Sequence, residues 1–433
     1  MTVDRRTVLR RAAQAGALGS AVTVGLACDS GPASAASAIK AEDVKRHGAA
    51  GDGRRDDTDA IRKALAAVPD DGGSVFFPPG DYLVSGQLEP KSQTLVFGCH
   101  SPRYDPVANP GSACKLRAAA RFDGGGLIAP GGSTQGVTLR NLALAGDGNA
   151  PAGLRLPALR DVTGEQGWTL ENLTIAGCET GIAGRAHVFS LVNCHVHANS
   201  GWGIEASGGD RWNDSHVVNC FFYFNRAGNL RFAGSEQSAA VEFANCRFER
   251  AGNAYGKPSA PLAQGSPGIR LEHARFLSFT NCFTDANTGP GVEVAGDAER
   301  VRAISFTGCG FHRDGRAGVS VEGSSGVRFA NCVIGVGEAD DAGGGPRGPD
   351  YGVQLQGSDD FGWTGGGVEG LRERWRLQPP NRRTAIIDPA RGFMTLPLER
   401  PAIEPFDGLV YLDADAGDVV VRSDSAWRRL PLR

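Results

Sequence analysis

Net charge is nearly absent from this chain, where 45 Lys and Arg stand against 48 Asp and Glu for a formal balance of -3 over 433 residues. No basic stripe is available to neutralise a phosphate backbone, so nucleic acid is not an expected partner. No Cys-x-x-Cys pair occurs among the ten cysteines, which removes the commonest zinc and redox spacings. After Ala27 no apolar run is long enough to span a bilayer. What the chain has instead is 62 glycines and a repeat.

The first residues follow the order of an export signal: Arg5-Arg6-Thr7-Val8-Leu9 with Arg10 and Arg11, an apolar stretch from Ala12 to Ala27, then the small residues Ala33 to Ala38. This resembles a twin-arginine signal, which implies passage through the twin-arginine translocase and an extracellular or cell-envelope location. Cleavage near Ala38 is expected, and Cys28 in Gly25-Leu26-Ala27-Cys28 is a rival, lipoprotein-type site.

A motif of alternating apolar residues, then Asn, then Cys or Leu recurs nine times, spaced 21 to 36 residues apart. Its corner residues are Asn141, Asn172, Asn193, Asn219, Asn245, Asn281, Gly308, Asn331 and Gly365. Each period holds three short strands: one before the Asn, one after it, and a third of the form Gly-apolar-x-apolar, as in Gly203-Ile204-Glu205-Ala206. Three strands per period predict an all-β fold, a right-handed parallel β-helix of about nine to eleven coils. Stacking at about 4.8 Å per coil would let the Asn column form an amide ladder and send the Cys/Leu column inside.

Six of the ten cysteines, Cys194, Cys220, Cys246, Cys282, Cys309 and Cys332, share that inward position and read as small buried hydrophobes. Cys99 and Cys114 flank a Pro/Gly-rich loop and form the disulfide candidate. The division expected is an export signal over 1–38, the β-helix over 39–378 and a short β appendage over 379–433. That appendage could cap the solenoid or assemble a homotrimer, because an open end exposes strand edges.

The segment Gly51-Asp52-Gly53-Arg-Arg-Asp56-Asp57-Thr58-Asp-Ala-Ile61 reads as a loop and a capped helix closing one end of the solenoid, followed by strands from Gly72-Gly-Ser-Val-Phe-Phe-Pro-Pro-Gly80-Asp-Tyr-Leu. These two segments resemble the opening of the pectate-lyase-like superfamily of β-helix proteins, closely over residues 43–84 and loosely over the coils. The resemblance implies a glycan partner and a structural role for Asp52, Asp56 and Asp57. It leaves the chemistry open among polysaccharide lyases, polygalacturonase-like hydrolases, uronan epimerases and tailspikes. The signatures Asn-Thr-Asp, Gly-His-Gly and Asp-Pro-His-Glu are absent, so no catalytic centre carries over.

Alternation along the strands gives outward columns. The third strand presents Arg155, Ala183, Glu205, Arg231, Arg270, Glu293, Ser320 and Gln354, with Ser207, Ala233, Glu272, Ala295, Glu322 and Gln356 beside them; the second presents His197, Tyr223, Glu249, Asp285 and His312. Arg231 and Arg270 between Glu205 and Glu293 would suit a uronate carboxylate, or else form a salt-bridge ladder.

Three functions follow. A lyase would use Arg231 and Arg270 on the uronate, Tyr223 or His197 as base and Lys257 in reserve. A hydrolase would use Glu272, Glu293 and Asp285. A non-catalytic, tailspike-like protein would only bind. Trp202, Trp212, Arg155, Glu205 and Lys257 are candidate sugar contacts in each. The acidic loop 337–350 is a possible calcium site; no other cofactor or metal is expected.

Overall fold

The computed structural model describes residues 41–99, 114–129, 131, 134–156, 167–234, 238–254, 261–336, 349–369, 371, 373–378, 381 and 384–388, together with the strands 393–395, 410–413, 418–423 and 426–431. The export segment, Cys28, Lys257 and most of the acidic loop lie outside the described residues. No described helix is long and apolar enough to cross a membrane.

The chain winds as a right-handed parallel β-helix with three walls. One central coil shows the plan: Ser190–Val192 on the first wall, a corner at Asn193, His195–His197 on the second wall, a corner at Ala198-Asn199, and Trp202–Gly208 on the third. Each strand pairs in parallel with its equivalent in the next coil, for example Leu191 with Val217, Val196 with Phe222 and Ile204 with Leu230. The first wall runs on past residue 378 into Ala385–Asp388, where Phe393–Thr395 ends it antiparallel. Val410–Asp413, Asp418–Ser423 and Ala426–Pro431 form an antiparallel three-stranded sheet of their own.

In-register stacking puts like on like inside. On the first wall the inward column becomes Phe243, Phe279, Phe306, Phe329 and Trp363, with successive ring centroids 4.7, 4.7, 4.6 and 5.2 Å apart. That spacing is one coil rise, so the rings stack face to face without bending the backbone. The six repeat cysteines are buried free thiols, and burial holds Cys220 well above the ordinary thiol range. Cys99 and Cys114 are also free thiols, with sulfurs 2.8 Å apart.

The corners explain the Asn repeat. Asn141, Asn172, Asn193, Asn219, Asn245, Asn281 and Asn331 all take φ between 51° and 56°, and Gly308 and Gly365 fill the same corner at 63° and 71°. Asn and Gly are the residues that tolerate this left-handed conformation best. The expected amide ladder forms there only once among the described residues, from Asn172 Nδ2 to Asn141 Oδ1 at 3.0 Å, because most of the column is exposed.

The continuous ladder lies at the second corner, where the sequence reading did not place it. Asn199 donates to Asn225 at 2.8 Å, Asn225 to Asn229 at 2.9 Å, Asn229 to Asn287 at 3.3 Å, and Asn287 to Asp314 at 2.7 Å. All five are essentially fully buried.

The helix Thr58–Ala67 packs Ile61, Ala64 and Leu65 onto the first coils. Asp57 stands at its N-cap, but its carboxylate accepts from Ala50 N and Gly51 N and closes the preceding loop. Asp56 accepts from Thr58 N at 3.0 Å instead.

Candidate functional site

Register on the third wall builds the site. Pairing sets Arg155 beside Ala183, then Glu205, Arg231, Arg270, Glu293, Ser320 and Gln354, one per coil. Their neighbours Ile204, Leu230, Ile269 and Val292 point inward and are fully buried, so alternation forces the charged residues out. Glu272, two residues beyond Arg270 on the same strand run, reaches back into the column.

These side chains join into one alternating ladder. Arg231 donates from Nη1 to Glu205 and from Nη2 to Glu272, each at 3.1 Å. Arg270 donates from Nε to the other Glu272 oxygen at 2.5 Å and faces Glu293 through Nη1 at 3.5 Å. Side-chain exposures of 21 to 35% leave each pair worth about 0–1 kcal/mol. An incoming carboxylate can therefore replace an internal one at small cost. The loosest link is Arg270 to Glu293, whose carboxyl is pushed above its usual range by burial, opposed by Arg270 and reinforced by Glu272.

The other candidates separate into those the fold brings to this groove and those it does not. His197, Tyr223, Glu249, Asp285 and His312 form one column on the second wall. Its first two members are sealed, with His197 0% and Tyr223 3% exposed and their rings stacked at 4.6 Å. A buried stacked pair presents no proton acceptor to a polymer, so neither is the base the sequence suggested. Asp285 is gripped by Arg313, which donates from Nε at 2.8 Å and from Nη2 at 2.5 Å. Both its oxygens are thereby occupied by Arg313, so it stands as a structural partner and not as half of an acid–base pair.

Trp212 is 0% exposed and donates from Nε1 to Gly184 O at 3.1 Å; it is a core residue with no face for a sugar. Trp202 is 9% exposed and lies under Arg231, whose guanidinium carbon sits 5.7 Å from the ring centroid. Gly228 in the next coil makes room for it, since a Cβ there would fall 2.0 Å from the indole. Trp202 thus props the ladder instead of stacking on ligand. Arg155 is exposed, and Ala183 breaks its continuity with the ladder.

Sequence reasoning missed two features. Asp210, in the excursion after Ser207, has its carboxyl raised by burial and opposed by Arg155 and Arg185; its position in a turn gave no column to find it by. Asp314 is fully buried at the end of the amide ladder, accepting from Thr284 Oγ1 at 2.6 Å, and burial holds it well above the carboxylate range. The signal was present as an Asn or Asp two residues after four of the second-wall strands: Asn199, Asn225, Asn287 and Asp314.

Two family models match. One, described as right handed beta helix region, covers residues 161–334, and one described as rhamnogalacturonase A/epimerase, pectate lyase-like, covers residues 42–129. Over these two stretches the chain is similar to pectate-lyase-like proteins with a right-handed β-helix. Among curated relatives, it is 49% identical to alginate lyase 7 of Azotobacter vinelandii over 55 residues, which is 12% of this chain and 6% of that protein. It is 50% identical to mannuronan C5-epimerase AlgE5 of the same organism over 55 residues, again 6% of that protein. The chain thus matches only a small part of these relatives' length.

Among solved structures, the N-terminal fragment of bacteriophage Phi29 gene product 12 superposes with a TM-score of 0.55 at 14% identity, over 84% of this chain and 74% of that one. The A-module of Azotobacter vinelandii mannuronan C-5 epimerase AlgE6 gives 0.52 at 18% identity, over 79% and 98%. Both likenesses are of fold.

Proposed function

We propose that this β-helix protein is exported and cleaves a uronic-acid-containing polysaccharide by elimination, along the third-wall groove. The observation that carries the reading is the placement of Arg231 and Arg270 on adjacent coils, each already bound to carboxylates. Neutralising a uronate carboxylate is what makes its neighbouring proton acidic, and two guanidiniums would stabilise the enolate that forms. Hydrolysis of a neutral sugar needs no such cations. The matched relatives are named for alginate and mannuronan, which agrees with a uronate substrate.

Roles follow from the electrostatics. Arg270 releases Glu293, its weakest partner, and takes the substrate carboxylate. Glu293, whose carboxyl burial pushes upward, delivers a proton to the departing glycosidic oxygen, while Glu272, set between the two arginines, accepts the substrate proton. A second reading, hydrolysis, draws on the same pair. Glu272 and Glu293 rest on one guanidinium and so lie closer than the upper limit of about 9.5 Å for glycosidase carboxyl pairs.

The test is to incubate the mature protein with uronic-acid and neutral polysaccharides while following ultraviolet absorbance and new reducing ends. Elimination gives absorbing unsaturated ends, and Arg270→Ala and Glu293→Gln each lower their rate by about a hundredfold. Reducing ends without absorbance would replace elimination by hydrolysis. Silence in both channels with retained binding would make this a glycan-binding protein.

A further inference from the structure

The outer face of the first wall carries a pocket that the ladder does not explain. Its strands bend at one level in successive coils, where Asp214, Ala240, Phe276 and Ala303 take φ of 48°, 53°, 53° and 55°. The flanking pairs, Asn213 with Ala239 and Arg275 with Arg302 on one side and Leu277 with Ile304 on the other, keep these bends in register. The stacked bends hollow the wall into a cavity of about 510 Å³, within the roughly 300–1,000 Å³ typical of small-molecule sites.

Phe276 is anomalous there on two counts. It is 59% exposed, more than any other described large hydrophobic residue. It also holds a left-handed backbone that costs a bulky residue on the order of 1–2 kcal/mol. Neither the core nor the chain direction calls for a ring at this position, and the adjoining coils carry Ala240 and Ala303 at the same step. Those alanines leave space on both sides of the ring along the stack. Arg275 lies at the ring, 5.9 Å from its centroid, and steadies it by a cation–π contact.

Around the ring stand groups suited to hydroxyls: Ser278 and Ser305, and the carboxylates of Asp214 and Glu242. His216 faces Glu242 at 3.2 Å and His187 faces Asp214 at 3.3 Å. Among the described residues lining the cavity there is no arginine or lysine, Arg275 lying beside the ring and outside the lining, and the two carboxylates would repel an acidic sugar.

We propose that this pocket is a second glycan site, which stacks a neutral sugar ring on Phe276 and accepts its hydroxyls on Glu242 and Asp214. It rests on the reading of the protein as glycan-binding but not on any reaction at the ladder. The two sites would read different sugars of one polymer, acidic units on the third wall and neutral units on the first.

The experiment is titration calorimetry of the whole protein with cellohexaose, mannohexaose and maltohexaose as neutral probes and a mannuronate hexamer as the acidic one. At least one neutral probe should bind. Phe276→Ala should weaken it by about tenfold or more, Phe276→Tyr should retain it, and Glu242→Gln should weaken it several-fold. Binding of the neutral probe should be unchanged in Arg231→Ala, and binding of the acidic one unchanged in Phe276→Ala, so failure at one site is separable from failure at the other. Thermal stability of Phe276→Ala should stay close to that of the parent, because the ring is largely exposed and Ala keeps the same left-handed backbone. Three results would each overturn the proposal: no binding of any neutral probe, undiminished binding by Phe276→Ala, or loss of binding only together with loss of the melting transition.

Discussion

The two corners of each coil use asparagine for opposite purposes. At the first corner Asn itself adopts the left-handed backbone and faces solvent, so its value lies in φ. At the second corner that backbone is taken by Ala198, Phe224, Arg250, Ala286 and Arg313, residues that gain nothing from it. In four of these five coils the next residue, Asn199, Asn225, Asn287 or Asp314, turns its side chain inward. There the amides satisfy buried backbone groups that no strand pairs, as when Asn287 accepts from Ala251 N at 2.8 Å and donates to Phe248 O at 2.9 Å. Strain in the backbone is thus offset by hydrogen bonds in a low-dielectric interior, where an orphaned group is expensive.

The contrast breaks first at Asn287. Replacement by Ala strips partners from Ala251 N, Phe248 O, Asn229 and Asp314 together, and should cost about 2–4 kcal/mol in denaturant unfolding; a loss under 1 kcal/mol would mean water takes over the ladder.

Next comes Asp314→Asn. The folded carboxyl of Asp314 lies above its unfolded value, so the native state binds the extra proton. Its contribution is present at low pH and is lost as pH rises from the ordinary carboxylate range towards the raised folded value. The variant extends the amide ladder without a titrating group. It should flatten that decline and be the more stable protein at neutral pH by on the order of 1 kcal/mol, as thermal melts across pH would reveal.

At the solvent corner the effects shrink. Asn245→Ala should cost about 1 kcal/mol through φ alone, whereas Asn245→Gly should be close to neutral. Ala286→Gly, at the second corner, should stabilise by a few tenths of a kcal/mol as strain falls. Equal losses for the Ala and Gly variants at residue 245 would show that the exposed Asn acts through its amide after all.

The columns of the third wall were legible because period-two alternation and a fixed corner residue define both facing and register. That is why Glu205, Arg231, Arg270 and Glu293 could be aligned from letters alone. The second-wall column was aligned equally well, yet His197 and Tyr223 proved closed to solvent. Facing outward from a strand does not decide whether another surface covers the side chain. Trp212 misled for a related reason: it lies in a Gly-rich excursion that looks like a loop, but the segment Trp212–Val218 is a first-wall strand that carries the indole into the core. Glu272 was visible as a carboxylate, but not as the shared partner of two arginines on adjacent coils.

The sequence alone determined the solenoid, because a repeat that puts Asn or Gly at one corner and apolar residues at alternating positions has one economical way to bury its faces and satisfy its backbone. Tertiary structure alone decided which outward groups meet. The closure of the ladder through Arg270, the burial of the His197–Tyr223 stack and the hollow around Phe276 depend on distances between coils of unequal length, and local pattern does not encode those distances.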